Sequence, residues 1–207
     1  WEQNFLATMD PALGYPTPER LLPVYTQVRQ MLQTEMTTPG ATGSPWVERG
    51  PNNVGGRTRT LMIDPNAANG NKVWAGGVTG GLWYNNDITS ASSQWVAVND
   101  FWDNLSISAI AYDPTNTNTF YVATGESWGQ STSGARGAGI WKSTDGGVTW
   151  NQLSSTIGFY YVNDLVVRNE GGTGVVYAAC RGWYYGGQWH GAINNGVQRS
   201  VNGGTSW

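Results

Sequence analysis

The 207-residue chain is poor in charge and in reactive side chains. It holds one cysteine and one histidine, and 11 Lys and Arg against 14 Asp and Glu give a formal net charge of −3. Each scarcity excludes something. A single cysteine, Cys180, rules out an internal disulfide, and its place behind Tyr177-Ala178-Ala179 suits a buried structural thiol. Cysteine-nucleophile chemistry would need His190, the sole imidazole, beside it. The same shortage argues against a zinc site, so no metal is expected. The glycine-rich stretches lack the Lys-Ser/Thr of a phosphate loop, and no cofactor is expected. With no basic stripe to displace counterions, nucleic acid is excluded as a partner. No apolar run approaches the roughly 20 residues of a membrane-spanning helix.

What is plentiful is glycine (29) and tryptophan (12), which suits many tight turns and large packing anchors. Three units recur. Arg59-Thr60-Leu61-Met62-Ile63-Asp64-Pro65 is echoed by Ile107-Ser108-Ala109-Ile110-Ala111-Tyr112-Asp113-Pro114 and, more weakly, by Asn163-Asp164-Leu165-Val166-Val167-Arg168. An apolar run follows each, beginning near Val73, Phe120 and Val175. Next come Gly81-Leu82-Trp83, Gly139-Ile140-Trp141 and Gly196-Val197-Gln198, and each unit closes on Trp95, Trp150 or Trp207, at spacings of 55 and 57 residues. Turn residues separate four short strands, A to D, in each unit. Radial repetition of four-stranded units makes a β-propeller, normally of four to eight blades. The expected fold is therefore all-β. Three blades are visible over residues 46–207, within a larger ring of six to ten blades or completed by a partner, and the chain stops with that ring open.

The second and third units share Ser143-Thr144-Asp145-Gly146-Gly147-Val148-Thr149-Trp150 and Ser200-Val201-Asn202-Gly203-Gly204-Thr205-Ser206-Trp207. Asp145 and Asn202 can accept hydrogen bonds from the backbone of their own turns. The Gly-Gly pairs supply positive φ, and the closing tryptophans offer apolar surface to a neighbouring unit. This pattern resembles the Asp-box, or BNR repeat, of sialidases, sortilin-like domains and xyloglucan-cleaving propeller hydrolases. The resemblance implies a structural role for Ser143, Asp145, Gly147, Trp150, Ser200, Asn202, Gly204 and Trp207. In the first unit Asn85-Asn86-Asp87-Ile88 stands where the motif is lost.

Residues 1–45 do not fit the repeat. Thr17-Pro18-Glu19 is a helix start with Pro at the first position, and Leu21, Tyr25, Val28 and Leu32 recur at helical spacing. Residues 37–45 read as a linker. The helical stripe either packs against the propeller or docks onto another protein. The chain begins at Trp1 without an initiating Met or signal peptide, as a mature or trimmed N-terminus would.

Strand alternation puts the repeated turns on one face and the B–C loops and inter-blade connections on the other, the expected ligand face. The long insertions fall there. They bring Glu126, Trp128 and Arg136, then Trp183, Tyr185, Trp189 and His190, with Asp100, Trp102 and Asp103 from the connection after Trp95. Arg57 and Arg59, two apart on the first inner strand, either face the channel or bridge blades. Aromatic rings mixed with amides and arginines suit glycan recognition. The alternative is that the rings cover neighbouring loops.

Gly50-Pro51-Asn52-Asn53-Val54-Gly55-Gly56-Arg57 resembles the first blade of large exported proteins of gliding Gram-negative bacteria, many of them cargo of the type IX secretion system. That resemblance implies a secreted or cell-surface protein on the outer face of the envelope. Its partners would be a polysaccharide or surface protein, with the secretion machinery or an outer-membrane component. In xyloglucanase-like propellers a catalytic Asp precedes a Gly-Gly on the first blade, but Val78 stands there in Gly76-Gly77-Val78-Thr79-Gly80-Gly81. Glycoside hydrolysis needs two carboxyl groups flanking the bond, and only Glu126 with Asp100 or Asp103 offers a pair. The sialidase signature is missing. The expected function is thus a non-catalytic glycan- or protein-binding module, with a glycoside hydrolase or a structural subunit of a surface assembly as alternatives.

Overall fold

The computed structural model describes residues 6, 9–16, 27, 30, 57–99, 102, 106–127, 135–185, 188–190 and 196–207. The chain divides into two compact units, Trp1–Gly55 with Phe101–Asp103, and Gly56–Asp100 with Asn104–Trp207.

In the first unit, strands β1 (Met9–Asp10) and β2 (Tyr15–Pro16) form a small hairpin that the helical pattern did not foretell. Its turn closes because Asp10 Oδ1 accepts the Ala12 amide at 2.8 Å. Gln27 and Gln30 are helical. The Leu21, Tyr25, Val28 and Leu32 stripe and the 37–45 linker lie outside the described residues.

The second unit is all-β and has the β-propeller plan of sequential antiparallel sheets. Blade 1 runs β3 (Thr58–Ile63), β4 (Val73–Gly77), β5 (Leu82–Asn85) and β6 (Trp95–Ala97), paired in that order. Blade 2 runs β7 (Ile107–Asp113), β8 (Asn116–Thr124), β9 (Ile140–Ser143) and β10 (Asn151–Gln152). In blade 3, β11 (Val162–Glu170), β12 (Thr173–Cys180) and β15 (Gly196–Ser200) pair in order. The inner strands stack in sequence, β7 against β3 and β11 against β7. Phe120–Thr124 of the middle blade is buried on both faces, which is why that run carries no polar alternation.

The turns follow the side-chain chemistry. Asp64 accepts the Asn66 amide at 2.9 Å and Asp113 the Thr115 amide at 2.8 Å, closing the A–B turns. In the Ser143–Trp150 hairpin, Asp145 accepts from the amides of Val148 (3.1 Å) and Thr149 (2.9 Å) and from the Thr149 hydroxyl. Those donors, the Thr149 hydroxyl first, hold the Asp145 carboxyl down at about 2. Asn202 takes the Ser206 amide at 3.0 Å in the same way. Ser143 and Ser200 are buried hubs, their hydroxyls accepting the amides of Gly147 and Gly204, each at 2.9 Å. In blade 1, Asn85 occupies the hub: its Oδ1 accepts the Asp87 amide (2.9 Å) and the Ser93 hydroxyl (2.6 Å).

Each hairpin also seals the blade before it. Gly146 and Gly147 both have positive φ, 72° and 87°. Gly147 lies against the edge of Trp74 in blade 1, so close that a Cβ there would stand 2.6 Å from Trp74 Cζ2. Trp150 adds an edge contact to Trp74 at 6.1 Å between ring centres. One blade further on, the Lys142 ammonium lies 5.3 Å above the Tyr121 ring and donates to the Gly203 carbonyl of blade 3 at 3.0 Å. Trp207 stacks edge-on to Phe159 at 5.8 Å. A buried cluster including Tyr121, Ile140, Val162, Val176 and Cys180 fills the space between blades 2 and 3.

A guanidinium-rich rim at the ends of the inner strands

Each inner strand carries a bulge at its start. The register skips Arg59 in β3, Ser108 in β7 and Asn163 in β11. A bulge leaves one residue outside the ladder and re-aims its side chain. Here the three side chains all cross to another blade. The Ser108 hydroxyl donates to the Val162 carbonyl. The Asn163 amide grips Ser127, accepting from its N–H at 2.9 Å and donating to its carbonyl at 3.0 Å. Arg59 reaches Glu126.

The residue after each B strand hydrogen-bonds to the residue before the bulged strand. Val78 donates to the Arg57 carbonyl (3.0 Å), Gly125 to Ser106 (2.8 Å) and Arg181 to Tyr161 (2.9 Å). These three equivalent positions define a rim. Gly125, at φ 79°, turns the chain so that Glu126 forms an isolated bridge with Ala135, its amide donating to the Ala135 carbonyl at 2.9 Å.

Glu126 is buried, yet both its oxygens meet guanidinium groups. Arg57 Nη2 is 2.8 Å from Oε1, and Arg59 Nε is 3.3 Å from Oε2. The next residue, Ser127, ties in blade 3, because Arg181 Nη1 donates to its carbonyl at 3.3 Å. Ser127 Oγ is buried and makes no hydrogen bond among the described residues. Arg136, just past the Ala135 bridge, lays its guanidinium 4.2 Å above the Tyr160 ring. Arg57 and Arg59 of blade 1 and Arg181 of blade 3 thus meet Glu126 and Ser127 of blade 2. The Arg57 side chain keeps 72% of its surface in solvent.

Of the residues expected at a ligand site, Arg57, Arg59 and Glu126 meet on this rim, while Arg136 lies against Tyr160. Arg57 and Arg59 do bridge blades, and through Glu126 they do so while still solvent-accessible. The bulge at Arg59 breaks the simple alternation that would set them on one side. Trp102 is a correction. It is only 5% exposed, so its ring is covered rather than offered to a ligand. Asp100, Asp103 and Trp128 lie outside the described residues.

In the third B–C insertion β13 (Trp183–Tyr185) and β14 (Gln188–His190) pair antiparallel. Trp189 is half exposed, and the hairpin begins two residues after Arg181. The side chains of Trp183, Tyr185 and His190 lie outside the described set. Sequence reasoning missed Arg181, Ser127 and Asn163. Aligning the three units residue by residue would have found Arg181, since it holds the position of Val78 and Gly125.

Val78, in the Gly76–Gly81 segment, is buried. The Cys180 thiol is buried and pushed up to about 12 by that burial, which leaves it protonated and inert near neutral pH. Among the described residues no group of three His, Cys, Asp or Glu could hold a metal ion. None of the described helical residues belongs to a helix long and apolar enough to cross a membrane.

No protein-family model matches the chain, and no curated protein matches it. Among solved structures it is similar to an ancestral GH74 enzyme, at 24% identity and a TM-score of 0.49 over 73% of this chain and 18% of that one. It is similar to the GH74 enzyme of Niastella koreensis at 21% identity and a TM-score of 0.46, over 71% of this chain and 20% of that one. A third is the GH74 xyloglucanase from Xanthomonas campestris, at 15% identity and a TM-score of 0.36, over 74% of this chain and 30% of that one. The chain thus spans less than a third of the length of each.

Proposed function

We propose that this chain is a non-catalytic carbohydrate-binding part of an exported or surface-displayed Asp-box propeller. The observation that carries this reading is the state of Glu126. Both of its oxygens are engaged by arginines of the adjoining blade, so it serves as an anchor between blades 1 and 2. A hydrolase would need that carboxyl free to face a glycosidic oxygen, with a second carboxyl across the bond. Val78 removes one first-blade candidate for the second group. The hydrogen-bonded Ser143–Trp150 and Ser200–Trp207 hairpins support the Asp-box reading.

The test is a polysaccharide panel on the full protein, scored for binding and for reducing-sugar release. Binding without release is expected. Sugar release that Glu126→Gln abolishes would replace this reading with a glycoside hydrolase. Retention by surface proteins alone would make the module protein-binding. Export as type IX cargo rests on the Gly50–Arg57 resemblance. It predicts loss of the protein from the cell surface and medium when that secretion system is disabled, and unchanged export would refute it.

A further inference from the structure

We infer that the open face of blade 3 is a docking surface for a fourth blade that carries its own Gly-Gly hairpin, whatever ligand the protein binds. Blade 3 repeats blade 2 residue by residue. Tyr121 lies opposite Ala111 and Lys142, and Tyr177 lies opposite Val166 and Arg199. Ala123 pairs with Ile140 as Ala179 pairs with Val197. In blade 2 this set is closed. Tyr121, Ala123 and Ile140 are at most 1% exposed, in the cluster shared with Val162, Leu165 and Val176 of blade 3. In blade 3 the same set is open. Val197 is 68% and Val166 50% exposed, and with Tyr177 and Ala179 they line a shallow hollow of about 120 Å³. An apolar face left in water, at positions that the preceding blade buries, marks an interaction surface that continues the established seam.

The aromatic end of the face specifies the occupant. Gly147 of blade 2 lies on Trp74 of blade 1, and Gly203 of blade 3 lies on Tyr121 of blade 2, 3.4 Å from its hydroxyl to the position a Cβ would take. Trp74, Tyr121 and Tyr177 hold equivalent places in their sheets. Beside Tyr121, the Lys142 ammonium sits over the ring and donates to the Gly203 carbonyl at 3.0 Å. Arg199 repeats that arrangement, its guanidinium 5.7 Å from the Tyr177 ring centre. Its Nε donates to the Tyr177 hydroxyl and its Nη2 to Glu170, each at 2.9 Å. Nη1 has no partner among the described residues, and a hairpin carbonyl laid on Tyr177 would supply one. Glycine lets a hairpin come so close to a ring. A second copy of this chain fits poorly. Among the described residues only blade 1 leaves its mating face open, with Leu61 66% and Ile63 62% exposed where blade 3 buries Leu165 and Val167. Its turn, Asn85-Asn86-Asp87-Ile88, has no glycine to set on Tyr177.

The experiment is thiol labelling of the full protein, comparing Val197→Cys with Val148→Cys. Val148 stands on the Asp145 hairpin and is 80% exposed, and the native Cys180 is buried and adds little background. A covered face makes the Val197→Cys thiol react at least about tenfold more slowly than the Val148→Cys thiol, at every protein concentration. Val166→Cys, at the other side of the hollow, is a second reporter with the same expected protection. Labelling of both as fast as Val148→Cys overturns the docking surface. A photo-reactive phenylalanine in place of Tyr177 then identifies the neighbour, by mass spectrometry of the linked peptides. The expected peptide carries a Gly-Gly hairpin other than those at Gly146 and Gly203. Linkage to Leu61–Ile63 of a second copy, or protection that fades on dilution, overturns the fourth-blade assignment.

Discussion

Replacing Gly147 by alanine should destabilise the protein considerably more than replacing its neighbour Gly146. Both glycines have positive φ, so either methyl incurs about 1–2 kcal/mol of left-handed strain. Their surroundings differ. A Cβ on Gly146 would find nothing nearer than Asn118 Oδ1 at 3.7 Å, an ordinary contact, while one on Gly147 would stand 2.6 Å from Trp74 Cζ2 and 3.3 Å from Cζ3. Trp74 cannot retreat. It is 1% exposed, its indole N–H donates to Asp64 at 2.9 Å, and Phe120 meets it edge-on at 5.8 Å. Forcing a methyl into such a site adds about 1–3 kcal/mol of overpacking. The expected losses are about 1–2 kcal/mol for Gly146→Ala and about 2–5 kcal/mol for Gly147→Ala. Urea unfolding of the full chain followed by tryptophan fluorescence would measure both. A double-mutant cycle with Trp74→Phe, which deletes the part of the ring that clashes, should recover much of the difference. Equal losses for the two alanines, or no coupling to Trp74, would refute the claim that this hairpin seals the preceding blade.

Trp74→Phe alone should cost about 2 kcal/mol in the same assay, because it takes a donor from the buried Asp64 carboxylate; a loss under about 0.5 kcal/mol would show the bond idle. Asp145 sets a pH dependence. Its carboxyl is depressed to about 2 in the fold, so its contribution is complete above the ordinary value near 4 and disappears as pH falls towards 2. Melting temperatures taken down through that window should drop less steeply for Asp145→Asn, which keeps the acceptor as Asn202 does; parallel curves would contradict this. Cys180 should resist thiol reagents in the native protein and react only on unfolding, and rapid native labelling would show that its burial is misjudged.

The blades were legible in the sequence because their signals are local. Turn residues at Asp64, Asp113 and the two Gly-Gly pairs mark where strands reverse, and the apolar runs between them are too short for anything but strands. The rim was only half legible. Arg57, Arg59 and Glu126 stand out as charged residues on the expected loop face. Their convergence depends on the three bulges, and a bulge leaves no mark in a single sequence: Arg59, Ser108 and Asn163 share no residue type. Trp102 misled for the converse reason. Large rings are both the best stacking platforms and the best core fillers, and only burial separates the two.

The seating of Gly147 on Trp74 makes the protein's assembly directional in time. Blade 1 contains all of its own strands, but the surface that covers its largest buried side chain is encoded 73 residues downstream. At a synthesis rate of about 5–20 residues per second, Trp74 leaves the ribosome roughly 4–15 s before the hairpin that shields it. During that interval a nearly finished sheet carries an uncovered indole, an adhesive surface in a crowded cell. Slow stretches of translation after residue 74 would lengthen the exposure, and a chaperone that binds exposed aromatics would have its natural window there. Tyr121 then waits in turn for Gly203, so the vulnerable site moves along the nascent chain one blade behind the point of synthesis.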